Sequence, residues 1–297
     1  VNVLGRVKGP SPISKLVYTL NNGEPSALSW GPDRRRLAAK CDFNIDLDIR
    51  KLHAGDNRIE VRAEDEAGHK TSAATTVRYT PQPCALPYTI RWREVERISD
   101  VAHIVDGLWS ITDDGVSPEE ISYDRLIAIG DMSWRDYEVS VPITVHAINA
   151  TCYNDHSVHA GVGIVVRWKG HSNWGSDQWS SGQPYYGPSP YGAISWYCVF
   201  HDVGPILTFF DPDFKRPAEL SRKLELHVPY IFKTRVETLT DGSSQYSLKV
   251  WPQGDAEPAA WDISAPGSVI ALKEGAILLV AYHTAATFGD VTIRALG

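Results

Sequence analysis

The sequence predicts an all-β protein of two units, and three observations predict it. Short runs rich in Val, Ile, Thr, Tyr and Phe recur along all 297 residues, many alternating apolar and polar side chains. Turn-forming pairs such as Asn22–Gly23, Gly31–Pro32, Gly55–Asp56 and Ala67–Gly68 separate them. Tyr and Trp are plentiful (13 and 10) beside a single Met, and only KLVYTLN, CDFNIDLDIRKL and SPEEIS could pass for helix. No apolar run approaches the roughly 18 residues of a membrane span, so membrane insertion is not expected.

The first unit, 1–80, reads as the strands VNVLGRV, KLVYTLNN, FNIDLDI, NRIEVRAED and SAATTVRYT. In NRIEVRAED, Ile59, Val61 and Ala63 share one parity and Arg58, Glu60, Arg62 and Glu64 the other, the pattern of a half-buried strand. The stretch LHAGDNRIEVRAEDEAGHKTSAATTVRY (52–79) runs turn, strand, AGxx hairpin and final strand. It resembles the bacterial immunoglobulin-like or fibronectin-type modules of surface and secreted proteins, where such a module acts as spacer or platform. PQPCALP (81–87) reads as a linker stiffened by proline.

The second unit, 88–297, opens with HIVDGLWSITDDG. It continues through LIAIGD, DYEVSVPITVHAI, HAGVGIVVRW, GAISWYCVF, PILTFF, KLELHVP, YIFKTRVETL, QYSLKVWP, AILLVAYH and GDVTIRAL. Strand after strand over this length fits a large antiparallel sandwich. DGLW (106–109), DYEVSVPITVH (136–146), GVGIVVRW (161–168), YIFKTRVETLTDGSSQYSLKVW (230–251) and AILLVAYHTAATFGDVTIRAL (276–296) carry a further likeness. Their order resembles the concanavalin A-like lectin/glucanase superfamily, above all its laminin-G-like and sugar-hydrolase-associated bacterial members. The resemblance implies a jelly-roll sandwich, and it supports fold better than activity. It also implies a structural calcium ion tying the first strand region to the last, with Asp290 at the position of its acidic ligand. A turn residue at a strand start is the plainer reading of Asp290.

Charge narrows the partners. Residues 1–83 hold 13 basic and 10 acidic side chains, against 16 and 26 in the rest. So acidic a second unit is a poor match for a phosphate backbone, and nucleic acid is excluded as a partner. Arg34–Arg35–Arg36 reads as a solvated turn. Cys41, Cys84, Cys152 and Cys198 lack CxxC spacing, which disfavours zinc fingers, and if all were bridged three pairings would be open. Pairing within units would give Cys41–Cys84 and Cys152–Cys198, and buried free thiols are the alternative. The chain opens at Val1 without a signal peptide and reads as a mature part of a larger, multidomain protein, secreted or at the cell surface.

The segment RWKGHSNWGSDQWSSGQPYYGPSPYGAISWYCVF (167–200) is the strongest functional signal. Rings among Gly, Ser, Pro and Gln cannot belong to a helix, and flat rings beside hydrogen-bonding groups are what a sugar needs. Trp168, Trp174, Trp179, Tyr185, Tyr186, Tyr191 and Trp196 are candidates to meet the sugar by their rings, with Arg167, His171, Asn173, Asp177 and Gln178 for polar contacts. The alternative is a loop folded over its own sheet as a small private core. Polysaccharide or glycan recognition is the leading reading.

An enzyme on the same scaffold, a polysaccharide lyase or glycoside hydrolase, is the second. The superfamily's glucanases place two carboxylates about 5 Å apart on an E-x-D-x-x-E strand, and no such string is present. Strand parity suggests instead Glu138, His146, Arg167 and Tyr197 on one concave sheet. Arg167 would balance a uronate and His146 or Tyr197 would move a proton. Polar residues on a solvent face need no such role. Asp155, His156, His159 and His171 read as loop hydrogen-bonders rather than metal ligands. A structural or adhesion fragment without a small ligand is the third reading.

Overall fold

The structure, a computed structural model, describes residues 2–32, 37, 39–149, 158–170, 190–268 and 270–297. The described residues form two units, 2–83 and 84–297.

In the first unit, β1 (Asn2–Arg6), β4 (Ser29–Trp30) and β5 (Asp42–Asp46) make one small antiparallel sheet. β2 (Ile13–Leu20), β3 (Ser26–Ala27), β6 (Gly55–Asp65) and β7 (Lys70–Tyr79) make the other. Leu16, Phe43, Ile45, Ile59 and Ala63 from both sheets share one core. Asn57, wholly buried, donates from its amide to His53 O and Gly55 O and receives the Asn21 amide, so its burial leaves no polar group wanting.

In the second unit, β8 (Tyr88–Ile90), β10 (Trp109–Thr112), β11 (Gly115–Pro118) and β13 (Tyr137–Ile148) belong to one sheet with five later strands. These are β18 (Pro229–Thr238), β19 (Ser244–Pro252), β20 (Ile263–Pro266), β22 (Thr284–Phe288) and β23 (Val291–Ala295). Among the described residues it is nine-stranded, in the order β10-β11-β22-β13-β18-β19-β20, with β23 beside β13 and β8 beyond it.

The other sheet comprises β9 (His103–Asp106), β12 (Arg125–Ile129), β14 (His159–Trp168), β15 (Ala193–Phe200), β16 (Gly204–Phe210), β17 (Glu219–Ser221) and β21 (Ala276–Tyr282). It runs β17-β16-β15-β14-β21-β12-β9. Every strand pairing in both sheets is antiparallel.

The period of two builds the core. Tyr137, Val139, Val141, Ile143 and Val145 of β13 point inward and are at most 3% exposed. They meet Val162, Ile164 and Val166 of β14 and Ile277, Leu279 and Ala281 of β21 across the interface. Each such aliphatic side chain stabilises the fold by about 1.5–3 kcal/mol. The all-β sandwich expected from the sequence is the fold of this unit. Of the two alternatives the sequence left open, bridges within units or free thiols, the described cysteines take the second. Cys41, Cys84 and Cys198 are free thiols, and Cys84 is held instead by its backbone, its N–H donating to Asp131 and its carbonyl accepting from Trp134 Nε1. Cys152 and Arg34–Arg36 lie outside the described residues.

Candidate functional site

The seven-stranded sheet is apolar on both faces. On the face turned away from the core, β15 presents Ile194, Trp196, Cys198 and Phe200, and β21 presents Leu278, Val280 and Tyr282. β16 adds Ile206 and the partly buried Phe210. In a two-layer antiparallel sandwich this position ordinarily carries polar side chains toward water.

Between these rings β14 supplies almost nothing. Gly161 lies opposite Cys198 and Gly163 opposite Trp196. A Cβ at Gly163 would stand 2.3 Å from Ser195 O, and one at Gly161 2.1 Å from Tyr197 O, so the two strands approach too closely for a side chain there. The glycines leave a bare strip beside the Trp196 ring.

His159, at the head of β14, sits in an aromatic nest. Its ring stacks on Phe200 at 5.0 Å between centroids, lies 4.9 Å from Tyr282, and meets Phe210 and Trp196 edge-on at 5.2 and 5.9 Å. Burial, helped by His283 and Arg216, pushes its pKa down to about 4, so the imidazole is neutral at physiological pH. Neither His159 Nδ1 nor Trp196 Nε1 has a hydrogen-bond partner, and both atoms are buried. An unmade bond at a buried polar atom costs about 1–3 kcal/mol. The nest reaches solvent through Tyr123, 38% exposed and edge-on to Tyr282 at 5.0 Å, and through the Arg216 guanidinium, 4.6 Å from the Phe200 centroid.

The residues proposed from the sequence scatter. Trp168, Tyr191 and Trp196 all lie in the apolar cluster of this outer face, at 6%, 1% and 3% exposure, and Tyr191 donates its hydroxyl to Asp211 O. His171, Asn173, Trp174, Asp177, Gln178, Trp179, Tyr185 and Tyr186 lie outside the described residues, as do Asp155 and His156.

Glu138, His146, Arg167 and Tyr197 are not brought onto one face, which corrects the reading from parity. Glu138 and His146 stand on the outer face of the nine-stranded sheet. Tyr197 points into the inter-sheet core, where its hydroxyl accepts from Leu224 N–H. Arg167 is wholly buried and spends all five guanidinium hydrogens on protein. It donates to Arg135 O, Ser244 Oγ, Leu272 O, Thr238 Oγ1 and, at 2.9 Å, Asp136 Oδ1. With a φ of 56° and a register shift between Val165 and Trp168, the strand turns this side chain inward. Arg167 is a corner clamp, not a free ligand contact.

On the nine-stranded outer face Glu138 receives Lys233 at 2.8 Å and Arg235 at 3.1 Å, and Glu257 receives Lys233 and Lys249. Burial alone would raise the Glu138 carboxyl, but the two cations outweigh it and hold it below the usual range. Arg235 and Lys249 lie over the Trp261 ring at 5.0 and 4.8 Å. Two carboxylates and three cations pair in one lattice, with each cation touching a carboxylate.

Asp290 takes part in a hydrogen-bonded tie between the two ends of the unit. One carboxylate oxygen accepts the Trp92 N–H at 3.0 Å, while Trp92 Nε1 donates to Gly289 O. These bonds tie the start of the unit to its last strand, the task that the resemblance gave to an ion. Among the described residues no three His, Cys, Asp or Glu side chains form a metal cluster.

The outer aromatic face was readable in principle. GVGIVVRW, GAISWYCVF and AILLVAYH are unbroken apolar runs rather than alternating ones, the mark of strands buried on both faces. His159, read from the sequence as a loop hydrogen-bonder, instead heads β14 with its Nδ1 unpaired, while Phe200, Phe210 and Tyr282 each look ordinary in their own strands.

No protein-family model matches the sequence, and no curated protein does. Among solved structures, the chain is similar to the exoplasmic/lumenal domain of VIP36 in its Ca2+/Man3GlcNAc-bound form. The TM-score is 0.44 at 10% identity, covering 70% of this chain and 89% of that one. A legume lectin-like domain from Entamoeba histolytica gives 0.40 at 9% identity, covering 67% and 92%. A Bacillus subtilis protein of unknown function with a galectin-like fold gives 0.40 at 11%, covering 72% and 97%. Likenesses of this strength carry no argument about function.

Proposed function

We propose that the chain is a carbohydrate-recognition unit of a secreted or cell-surface bacterial protein, and that a polysaccharide or glycan meets it at the outer aromatic face of the seven-stranded sheet. One observation carries the reading. Where a sandwich ordinarily turns polar side chains to water, this face gathers Trp196, Phe200, Phe210, Tyr282 and His159, with two buried ring nitrogens lacking partners. A sugar offers the complement, an apolar C–H face for stacking and hydroxyls that both donate and accept. Because Trp196 is only 3% exposed, a sugar entering beside Tyr123 would have to open this face; the Trp196 N–H would then donate to one hydroxyl, and His159 Nδ1 would pair with another.

The segment between β14 and β15 adds the rings of Trp174, Trp179, Tyr185 and Tyr186 to the reading by sequence alone. Two or three stacked rings at about 1 kcal/mol each, with a few hydrogen bonds, correspond to a micromolar to millimolar site. The first unit would serve as the spacer its sequence resembles. Free thiols at Cys41, Cys84 and Cys198 lend the extracellular location no support.

The test is a glycan screen that reads both binding and product release, run with calcium and with chelator. Wild type is compared with Tyr123→Ala, Trp196→Phe and Trp174→Ala/Trp179→Ala. Trp196→Phe keeps most of the ring and removes only the N–H, so it is expected to weaken binding about three- to tenfold while the melting temperature holds or rises slightly. Loss of binding in the other two, with folding intact, supports the reading. Binding to no glycan overturns it in favour of a structural or adhesion fragment. New reducing or unsaturated ends would make the protein an enzyme.

A further inference from the structure

A second feature lies on the other sheet and is independent of the glycan reading. His146 and His227 face each other with their Nδ1 atoms 3.4 Å apart and ring centroids 5.5 Å apart. Two backbone irregularities converge to make the pair. His146 stands where the register of β13 against β22 shifts, between Val145 and Ala147, so β13 carries an extra residue there. Such a bulge re-aims a side chain. His227, just before β18, takes a φ of 63°, the left-handed region that a non-glycine residue enters only when its surroundings hold it. Its N–H is pinned to Val145 O at 2.8 Å, one residue from the bulge.

We propose that His146 and His227 form a two-histidine site for a borderline divalent cation, zinc in the first instance. An imidazole binds zinc at about 2.0–2.1 Å, so two nitrogens on a tetrahedral ion stand roughly 3.3–3.4 Å apart. The pair already has that bite. The far side of His146 is prepared as well. Its Nε2 lies 2.8 Å from Thr287 Oγ1, which is 2.9 Å from Ser117 Oγ. A ligating histidine characteristically donates its other ring N–H to an oxygen, which fixes the tautomer and the ring plane. Thr287 is placed to accept from Nε2 and leave the Nδ1 lone pair for the metal. Among the described residues no third His, Cys, Asp or Glu completes the pair, so water would fill the remaining positions. His227 is solvent-exposed and His146 half-buried, which leaves the ion a way in.

Zinc titration by calorimetry on the full chain tests the site, using His146→Gln, His227→Asn and Thr287→Val. Asparagine tolerates the left-handed backbone at 227, so the fold is retained there. One zinc per chain at this pair is expected, weakened at least tenfold by either histidine substitution. The double variant should lose little more than a single one, because the two nitrogens act together. Thr287→Val, which keeps both ligands, is expected to weaken binding about tenfold through the lost orienting bond. No zinc uptake by wild type overturns the proposal. Uptake that both histidine variants retain overturns it too, by placing the metal elsewhere.

Discussion

The second unit has two outer sheet faces, and they carry opposite chemistry. That of the nine-stranded sheet is a lattice of Glu138, Lys233, Arg235, Lys249 and Glu257, every charge answered by a neighbour. That of the seven-stranded sheet is carpeted by rings, with bare glycine at its centre and two unanswered ring nitrogens. Both sheets pack their inner faces alike, so stability does not require the difference. A solvated face needs only to be soluble and to pair its charges. A face that gathers rings and leaves polar atoms unpaired gives up stability, and such sites are where function is expected.

The sharpest way to break the comparison is to place the same side chain on each face. Gly163→Val puts a Cβ against Ser195 O, where only backbone can yield. We expect a loss of about 3 kcal/mol or more, and a melting temperature lowered by roughly 6–12 °C. Ser140→Val, on the outer face of β13, is expected to stay within about 0.5 kcal/mol. Thermal denaturation of the pair decides it, and equal effects would mean the two faces are equally tolerant.

Acid separates the faces next. His159 titrates near 6.5 when unfolded and near 4 in its nest, so between those values the unfolded chain binds the proton and the folded chain does not. Its contribution is complete above about pH 6.5 and is lost as the pH falls toward 4, a change on the order of 2–3 kcal/mol. Glu138, held below its ordinary value of 4.5, keeps its contribution down to about pH 4.5 and loses it as the pH falls further. Urea denaturation at pH 7 and pH 4.5 should therefore show a loss that His159→Phe reduces and Glu138→Gln does not. An unchanged loss in His159→Phe would mean the imidazole is already solvated.

The same contrast explains what could be read in advance. The inward parity of Tyr137 to Val145 follows from alternation, and the structure keeps it, whereas the run KLELHVP, also read as a strand, is coil and turn up to Pro229. The partnership of Glu138 with Lys233 and Arg235 needed the pairing register, which sets Ser140 opposite Lys233 and Glu138 opposite Arg235. Parity failed at Arg167. It shares the count of Gly161, Gly163 and Val165, yet one left-handed residue and a register shift send it into the interior. Nothing local in RWKG announces that turn. The rings of Trp196, Phe200, Phe210 and Tyr282 come from three strands, and only the sheet order puts them around His159. Local pattern specifies which residues share a strand face, while long-range pairing decides which faces meet.

The smallest expected effect concerns the ionic face itself. Glu138→Gln removes one carboxylate from beneath two cations, but neither is left bare. Lys233 keeps Glu257 at 2.9 Å, and Arg235 keeps the Trp261 ring at 5.0 Å. The pairs are only partly buried, so water and salt already screen them, and the loss should be about 0.5–1 kcal/mol at low ionic strength. At 1 M salt the Debye length shrinks to about 3 Å, and most of that difference should vanish. Urea denaturation of wild type and Glu138→Gln at low and high salt measures it. A penalty that survives high salt would show the lattice to be a desolvated structural network, and the nine-stranded face would then no longer be the solvated counterpart of the aromatic one.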